Sequence, residues 1–584
     1  MTSSDSVPNQ APRTTTSTRD SRRVIIIGGV AGGASCAARL RRLDEHAHII
    51  LVERGPYVSY ANCGLPYFVG GVIPRESSLL VASEQTFREN FHIEVRTHCE
   101  AIAISTRDKT VQLRDTLRNT TTLEPFDQLV LAPGAAPIRP PLAGIDLPGV
   151  FQVRTVPDVQ HIKQWLEWRR TALTAPSSGH GPTPTAAKRA VVVGGGFIGL
   201  EMAENLTHLG LQVTVLQRDP HVLAPLDADM AVHVEEHLRA HDVRLVLQDD
   251  VVGIEPCADG SLQAITRSAT RFDADIIVLG IGVRPEIDLA RDAGLAIGPK
   301  GGIVVDEQMR TNHPDIFAVG DAVEVSDFVT AEPTLVALAG PANRQGRIVA
   351  DVIAGRTARY RGTQGTAIVG LFGAAAAWTG VNERTLRQLG DDDYEKVYLY
   401  PNSHASYYPG ATRLSLKVLF RKSNGKLLGA QAFGHDAVDK QIDTVAMALR
   451  LGATVYDLEE AELCYAPQFS SAKSPINFAG MIASDVLRHD MPLTHWPSSP
   501  EALLLDVRND DEVATDPIPD AVHIPLPQLR GRLHELPRER TLHVTCKSGQ
   551  RAYYATRILM QHGFRARNIS GGNLARHSRW LANC

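Results

Sequence analysis

Two stretches of the chain share one order of apolar and polar positions. In the first, the apolar run at residues 24–27 meets the turn "GGVAGG". Small and apolar residues then recur at helical spacing through "ASCAARLRRLDE", and a second apolar run, "HIILVE", ends on Glu53. A short apolar run bounded by glycine reads as a buried strand, and the periodic stretch after it as a helix laid on the sheet. The second stretch repeats the order with "AVVV", "GGGFIG" at residues 194–199, "LEMAENLTHLG" and "QVTVL". Each predicts a βαβ unit, so the fold class is α/β with two Rossmann-like dinucleotide-binding domains. At such turns glycine lets the backbone reverse tightly and lets a pyrophosphate approach the helix N-terminus, where unpaired N–H groups and the helix dipole favour an anion. Gly28, Gly32 and Gly33, and Gly194, Gly196 and Gly199, are the candidate phosphate-facing positions. The second unit has glycine at all three places of the G-x-G-x-x-G pattern; the first has Val30 in the middle.

Length and composition narrow the picture. The 584 residues suffice for about four domains. A net charge of −5 gives no basic bias toward nucleic acid, so anionic ligands must be met by local arginines and the expected partners are small molecules. The longest apolar runs are broken by glycine and too short for a membrane span. Residues 1–20, rich in Ser and Thr with no apolar core, predict a disordered tail, with a transit peptide as the alternative, and residues 174–188, rich in Pro, Gly, Ser and Thr, a surface loop. The seven cysteines show no CxxC pairing, as expected in a reducing compartment, and a cytoplasmic address follows. Cys36 and Cys99 fall in apolar patterns and read as structural; Cys464 and Cys584 are left without a role.

The paired units, the turn "LAPGA" and the late "AVGDA" together resemble the two-dinucleotide-binding flavoprotein disulfide reductases over residues 22–485. The resemblance implies FAD in the first unit, with Glu53 and Arg54 at its adenosine, Ala132 and Gly134 in the second turn, and Gly320 and Asp321 facing the ribitol. NADH or NADPH would occupy the second unit. Gln217 stands where an NAD-selective enzyme often has an acid, and Arg218 beside it can pair a 2′-phosphate, so either nucleotide is compatible. The implied domains are 21–155 with 275–345 for FAD, 156–274 for NAD(P)H, and 346–485 for an interface that makes a homodimer.

Members of that family commonly place a second cysteine five residues after the first. In "SYANCGLPYF" the position five after Cys63 is Phe68. With one cysteine, and with "HASYYPGA" and "YAPQFSSAK", the chain is similar to the coenzyme A-disulfide reductase branch. That likeness implies Cys63 as the flavin-facing thiol, Arg42, Ser59 and Asn62 as coenzyme A contacts, and Tyr407 (in preference to Tyr408) and Tyr465 as groups reaching in from the partner subunit. A phenol can hold a thiolate or give up its proton, and an arginine can pair a phosphate. A thiolate is the nucleophile in disulfide exchange, and a cysteine at a helix start beside a flavin is in a setting that lowers its pKa. NADH oxidases and peroxidases, the rival branch, carry a histidine in the first glycine loop; "GGVAGGAS" has none.

After the stretch "THWPSSPE", residues 498–584 resemble a rhodanese domain. In "CKSGQR" Cys546 follows an apolar strand and Arg551 lies in the next helix, so the loop can turn its N–H groups on one anionic sulfur. Rhodanese-related phosphatases have one more residue in this loop. Asp506 and Arg508 read as structural. The joint expectation is NAD(P)H-dependent reduction of coenzyme A disulfide and persulfides, fed by a sulfane-sulfur donor at Cys546. A sulfur carrier that delivers persulfide from Cys546 is the alternative. No metal is expected.

Overall fold

The computed structural model describes residues 21–171 and 187–581. The expected N-terminal tail, nearly all of the 174–188 loop and Cys584 lie outside them. The first βαβ unit sits in a parallel five-stranded sheet ordered Ile316–Ala318, Gln128–Leu131, Arg23–Ile27, His48–Val52 and Glu94–Arg96. Val24, Ile25 and Ile26 are fully buried, because parallel strands carry helices on both faces and need apolar side chains on each. The helix Ala31–Arg41 starts earlier than the apolar periodicity suggests and takes in Gly32 and Gly33. It lies on the helix Ala339–Ile353 so closely that a Cβ at Gly346 would meet the Gly32 carbonyl oxygen at 2.1 Å. A side chain there would force the helices apart.

The second unit occupies a parallel sheet ordered Arg244–Leu247, Gln212–Gln217, Arg189–Val193, Ile276–Leu279 and Val150–Gln152. A third sheet is antiparallel, built from Ala367–Leu371, Ala374–Gly380, Leu427–Gly434, Ser415–Phe420 and Glu395–Leu399, with the helices Val438–Leu451 and Pro475–Leu487 beside it. Its strand Ser415–Phe420 is buried throughout and includes Lys417, which has no exposed surface. Lys417 Nζ lies 2.8 Å from Asp227, 3.0 Å from Asp229 and 2.6 Å from Glu383. A buried ammonium is tolerable only when paired this completely, and here the pairing bolts the helix Ala228–Ala240 of the second unit to the third sheet.

The fourth sheet is parallel, ordered Leu493–Thr494, Ala566–Ile569, Leu542–Thr545, Leu503–Asp506 and Val522–His523. The stretch "THWPSSPE" that leads into this sheet is partly structural. Thr494 closes this sheet, His495 Nε2 meets Glu395 Oε1 at 2.8 Å, and Trp496 Nε1 donates to the Gly572 carbonyl at 2.8 Å. The fourth domain is docked as well as tethered: Tyr398 N donates to Ser570 Oγ at 3.1 Å, and Ser578 Oγ lies 3.3 Å from His233 Nε2.

Candidate active site

The glycine turns have matched geometry. Gly28 and Gly194 take φ of 98° and 105°, in the region that favours glycine. Gly196 has open space where a Cβ would stand, and the helix Phe197–His208 that follows has no side-chain cap. Unpaired first-turn N–H groups facing open space fit a pyrophosphate. The helix Ala31–Arg41 is likewise uncapped. Glu53 has both oxygens engaged, accepting from Gly29 N and Gly55 N at 2.8 Å each, so it also braces the turn. Gln217 does the same for the second unit through Gly195 N at 2.9 Å.

Arg54 is not free: it donates to Glu286 at 2.7 Å, and Arg154 does so at 2.6 Å. Gly134, at φ 74°, accepts from Glu286 N at 3.0 Å, and Gly320 donates to Gln345 Oε1 at 2.7 Å. Burial raises the Asp321 carboxyl above its ordinary value, against the pull of Arg154. Glu286, Arg154 and Gln345 were not legible in the sequence, since each arrives from a distant segment.

Cys63 is exposed, in a 3₁₀ turn at Asn62–Gly64 that runs into the short helix Leu65–Val69. Phe68 is buried, with Lys163 Nζ 4.2 Å above its ring and 3.1 Å from its carbonyl oxygen. The place of a second cysteine is thus filled by core. Tyr67, in the same helix, donates to Glu201 Oε1 at 3.4 Å, and burial raises the Glu201 carboxyl to about 7. The expected lowering of the Cys63 thiol is not what the chain's own groups do. Although its surface is exposed, desolvation by the chain packed around it, then the Glu201 carboxylate, push it up; its own helix-start N–H pulls it down; Asp321 adds to the rise. Cys36 and Cys99 are buried, as expected, with Cys36 pushed up to about 12 by burial; Cys464 is exposed.

Ser59 is held at φ 48° by bonds from its N to the Gly29 carbonyl, 2.8 Å, and to its own carbonyl from Val81 N, 2.8 Å. That pins the start of the Cys63 loop to the first glycine turn. Asn62 and Arg42 are exposed. Of the adjacent arginines, Arg41 spends its guanidinium on the carbonyls of Phe91, Asp44, Glu45 and His92, while Arg42 has no partner among the described residues. Arg42 is therefore the one available to a phosphate.

Tyr407 and Tyr465 meet through their hydroxyls at 2.8 Å, on segments 58 residues apart, and stand 73% and 49% exposed. Tyr408 turns instead toward the His404 ring. The hydrogen bond to Tyr465 raises the Tyr407 phenol. No hydrogen bond joins this pair to the Cys63 loop of the same chain, and Phe469, also 64% exposed, follows Tyr465 on the same segment.

In the fourth domain Cys546 is buried at the end of the strand Leu542–Thr545, and Gly549 N donates to its Sγ at 3.2 Å. Arg551, in the first turn of the helix Gln550–Gln561, grips Glu512 through two bonds of 2.6 and 2.7 Å. Glu512 is a further residue that sequence reasoning missed. Arg551 holds its carboxyl down to about 2. Asp506 and Arg508 form a buried ion pair at 2.7 Å. Among the described residues no helix is long and apolar enough to cross a membrane, and no His, Cys, Asp and Glu grouping could hold a metal.

Comparison with known proteins matches this layout. Residues 22–346 fit the model of the pyridine nucleotide-disulphide oxidoreductases, 366–474 that family's dimerisation domain, and 493–575 a rhodanese-like domain. A coenzyme A disulfide reductase of Staphylococcus haemolyticus is 33% identical, over 80% of this chain and 100% of its own. The structure of reduced Bacillus anthracis CoADR-RHD aligns with a TM-score of 0.91 and 41% identity, over 96% of this chain and 98% of that one. The NAD-dependent persulfide reductase from A. fulgidus aligns with a TM-score of 0.86 and 35% identity, over 95% and 99%. With two uncapped glycine turns, a cysteine between them and a buried thiol in a fourth domain, the chain belongs to the pyridine nucleotide-disulphide oxidoreductases, as an FAD- and NAD(P)H-dependent enzyme of the coenzyme A disulfide reductase type that carries a rhodanese-like domain.

Proposed function

We propose that this enzyme reduces coenzyme A disulfide and coenzyme A or other low-molecular-weight persulfides through Cys63 alone, releasing thiol and, from persulfides, hydrogen sulfide. The observation that carries the reading is Phe68: a buried phenylalanine under Lys163 leaves Cys63 no resolving cysteine, so its sulfur partner must come with the substrate. FAD is assigned to the first unit, held at Gly28, Gly32, Gly33, Glu53, Ala132, Gly134, Gly320 and Asp321; the nicotinamide nucleotide is assigned to the second unit, whose sheet also takes in Val150–Gln152 and Ile276–Leu279, beyond the expected bounds of 156–274. When bound, these groups supply the two electrons that return Cys63 from a disulfide to a thiolate.

Cys63 thiolate attacks one sulfur of the substrate; the substrate S–S bond breaks as the Cys63 S–S bond forms, and the leaving thiolate takes a proton. The Tyr407 and Tyr465 pair, exposed on its own chain, fits a proton-holding group delivered from the partner subunit of a homodimer whose interface is residues 346–485. Arg42, Ser59 and Asn62 hold coenzyme A. Cys546, with Arg551 aimed by Glu512, takes a sulfane sulfur from a donor and passes it on to be reduced at Cys63, in the cytoplasm. The named relatives, a coenzyme A disulfide reductase and a persulfide reductase, support this pairing of activities.

The test is sulfide release and nicotinamide oxidation with coenzyme A disulfide and coenzyme A persulfide, in wild type and Cys546→Ala. Both substrates should turn over in both proteins, while transfer from thiosulfate is lost in the variant. Sulfide release that needs no NAD(P)H would instead make the chain a sulfur carrier.

A further inference from the structure

The loop that carries Cys546 is not walled in by its own domain alone. On one side, residues 546–551 pack against a turn at residues 570–572, where Gly571 and Gly572 take φ of 74° and 59°. A Cβ at Gly572 would stand 2.4 Å from the Cys546 carbonyl oxygen, 2.8 Å from Gly549 N and 3.0 Å from Ser548 N. Gly549 N is the amide that donates to Cys546 Sγ. The helix Gly572–Leu581 is tied to the loop as well: Asn573 N donates to the Cys546 carbonyl at 2.8 Å and Leu574 N to that of Lys547 at 3.0 Å. Whatever fixes residues 570–572 therefore fixes the amide that faces the sulfur.

The turn's other side is covered by the third domain. The strand Glu395–Leu399 lies at the edge of its sheet, so its outward N–H groups need partners from elsewhere. Tyr398 N finds one in the buried Ser570 Oγ, at 3.1 Å. A Cβ at Gly571 would meet Tyr398 Cβ at 2.9 Å and Tyr400 Cε2 at 3.3 Å, so the turn has no room to move that way. Tyr398 is itself held: its hydroxyl donates to Asp229 of the second unit, Lys417 Nζ stands 5.2 Å from its ring centroid, and the His495 ring meets it edge-on.

Resting on the reading of Cys546 as a sulfur-transfer thiol, we infer that Tyr398 of the third domain is a positioning residue for that reaction, holding residues 570–572 against the loop so that Gly549 N stays on the Cys546 sulfur. In the first half-reaction the Cys546 thiolate attacks the outer sulfur of thiosulfate. The thiosulfate S–S bond breaks with its electron pair on the departing sulfite, and the end sulfur of the new persulfide carries the negative charge that the loop amides must meet. A loop free to shift meets that charge less well, and the loss falls on the chemical step, not on donor binding. The reductase core is in this sense part of the sulfurtransferase.

The test is single-turnover sulfite release from thiosulfate by the full-length, flavin-loaded enzyme, with Cys546→Ala as the blank and hydrogen exchange followed in residues 546–551. Tyr398→Ala should lower the rate at saturating thiosulfate about tenfold, leave the half-saturating concentration within about twofold and quicken exchange in the loop, while coenzyme A disulfide reduction stays within about twofold of wild type. Tyr398→Phe keeps the ring and the backbone bond and should transfer sulfur within about twofold of wild type. Ser570→Ala removes only the acceptor of Tyr398 N; it should slow sulfite release as Tyr398→Ala does, and it decides the matter if Tyr398→Ala fails to retain flavin. The inference is overturned if the flavin-loaded variant releases sulfite at the wild-type rate, if its loss lies in half-saturation alone, if both activities fall together, if loop exchange is unchanged, or if Tyr398→Phe is as slow as Tyr398→Ala. Absence of sulfite release from wild type would instead overturn the sulfur-transfer reading, and the inference with it.

Discussion

Replacing Glu512 by Gln isolates the ion pair that aims Arg551. The substitution keeps the side chain's shape and an acceptor for Asn509 N, which caps the helix Asp510–Thr515, but removes the charge gripped by the two bonds of 2.6 and 2.7 Å. The carboxyl sits at about 2 against its ordinary 4.5 because Arg551 hydrogen-bonds it. That displacement corresponds to about 3 kcal/mol of differential stabilisation. With the two side chains 27% and 22% exposed, solvent screening reduces the net contribution to about 1–2 kcal/mol. A depressed carboxyl contributes fully above pH 4.5 and loses its contribution as pH falls through about 2. The difference in urea midpoint between wild type and Glu512→Gln should therefore be constant from neutral pH down to about 4.5 and shrink below it. At pH 7, hydrogen exchange in residues 510–515 and 550–561 should quicken about 5- to 30-fold. Sulfur transfer from thiosulfate should fall by a similar factor as Arg551 loses its orientation, while coenzyme A disulfide reduction stays unchanged. If exchange and sulfur transfer both match wild type, the pair neither stabilises the domain nor positions Arg551.

Lys417→Met leaves Asp227, Asp229 and Glu383 buried with too little positive charge; it should destabilise the chain by about 3–5 kcal/mol at neutral pH, read as a lower urea midpoint. Burial opposes ionisation of Glu383, but Lys417 and Lys396 overcome it and hold the carboxyl far below its ordinary range, so the deficit should persist down to acid pH and narrow only there; a deficit already gone by pH 5 would refute the sign. Tyr407→Phe and Tyr465→Phe should each slow turnover of coenzyme A disulfide, and mixed dimers of Cys63→Ser with Tyr465→Phe chains should recover activity above either parent. Absence of recovery would place the tyrosines outside the partner's site.

Much of this architecture is legible because it is local. A glycine turn between an apolar run and a helical period needs no distant residue to be recognised, and "CKSGQR" brings its thiol and arginine together within one turn. What escaped depends on chain segments far apart. Glu512 reaches Arg551 across 39 residues, and Tyr67 reaches Glu201 across 134. Lys417 sits inside "RLSLKVLF", where a lone lysine in a strand pattern reads as solvent-facing. Only carboxylates from Asp227 and Asp229 of the second unit and from the helix Glu383–Gln388 make its burial tolerable. Ser59 carries no sign in "VSYAN" of a left-handed backbone, since that conformation is imposed by the Gly29 and Val81 bonds. The Cys63 thiol shows the same limit: its helix-start N–H lowers it as the local pattern reads, while desolvation by the surrounding chain and Glu201, neither visible nearby, raise it.

The most direct test of a single-cysteine reductase is anaerobic turnover of coenzyme A disulfide by Cys63→Ser, with flavin reduction by NAD(P)H followed in the same protein. The account predicts a flavin-loaded variant, reduced by NAD(P)H as in wild type, whose coenzyme A disulfide turnover falls to background. Turnover comparable to wild type would contradict it, because the place five residues on, where a second cysteine would take over the electrons, is the buried Phe68.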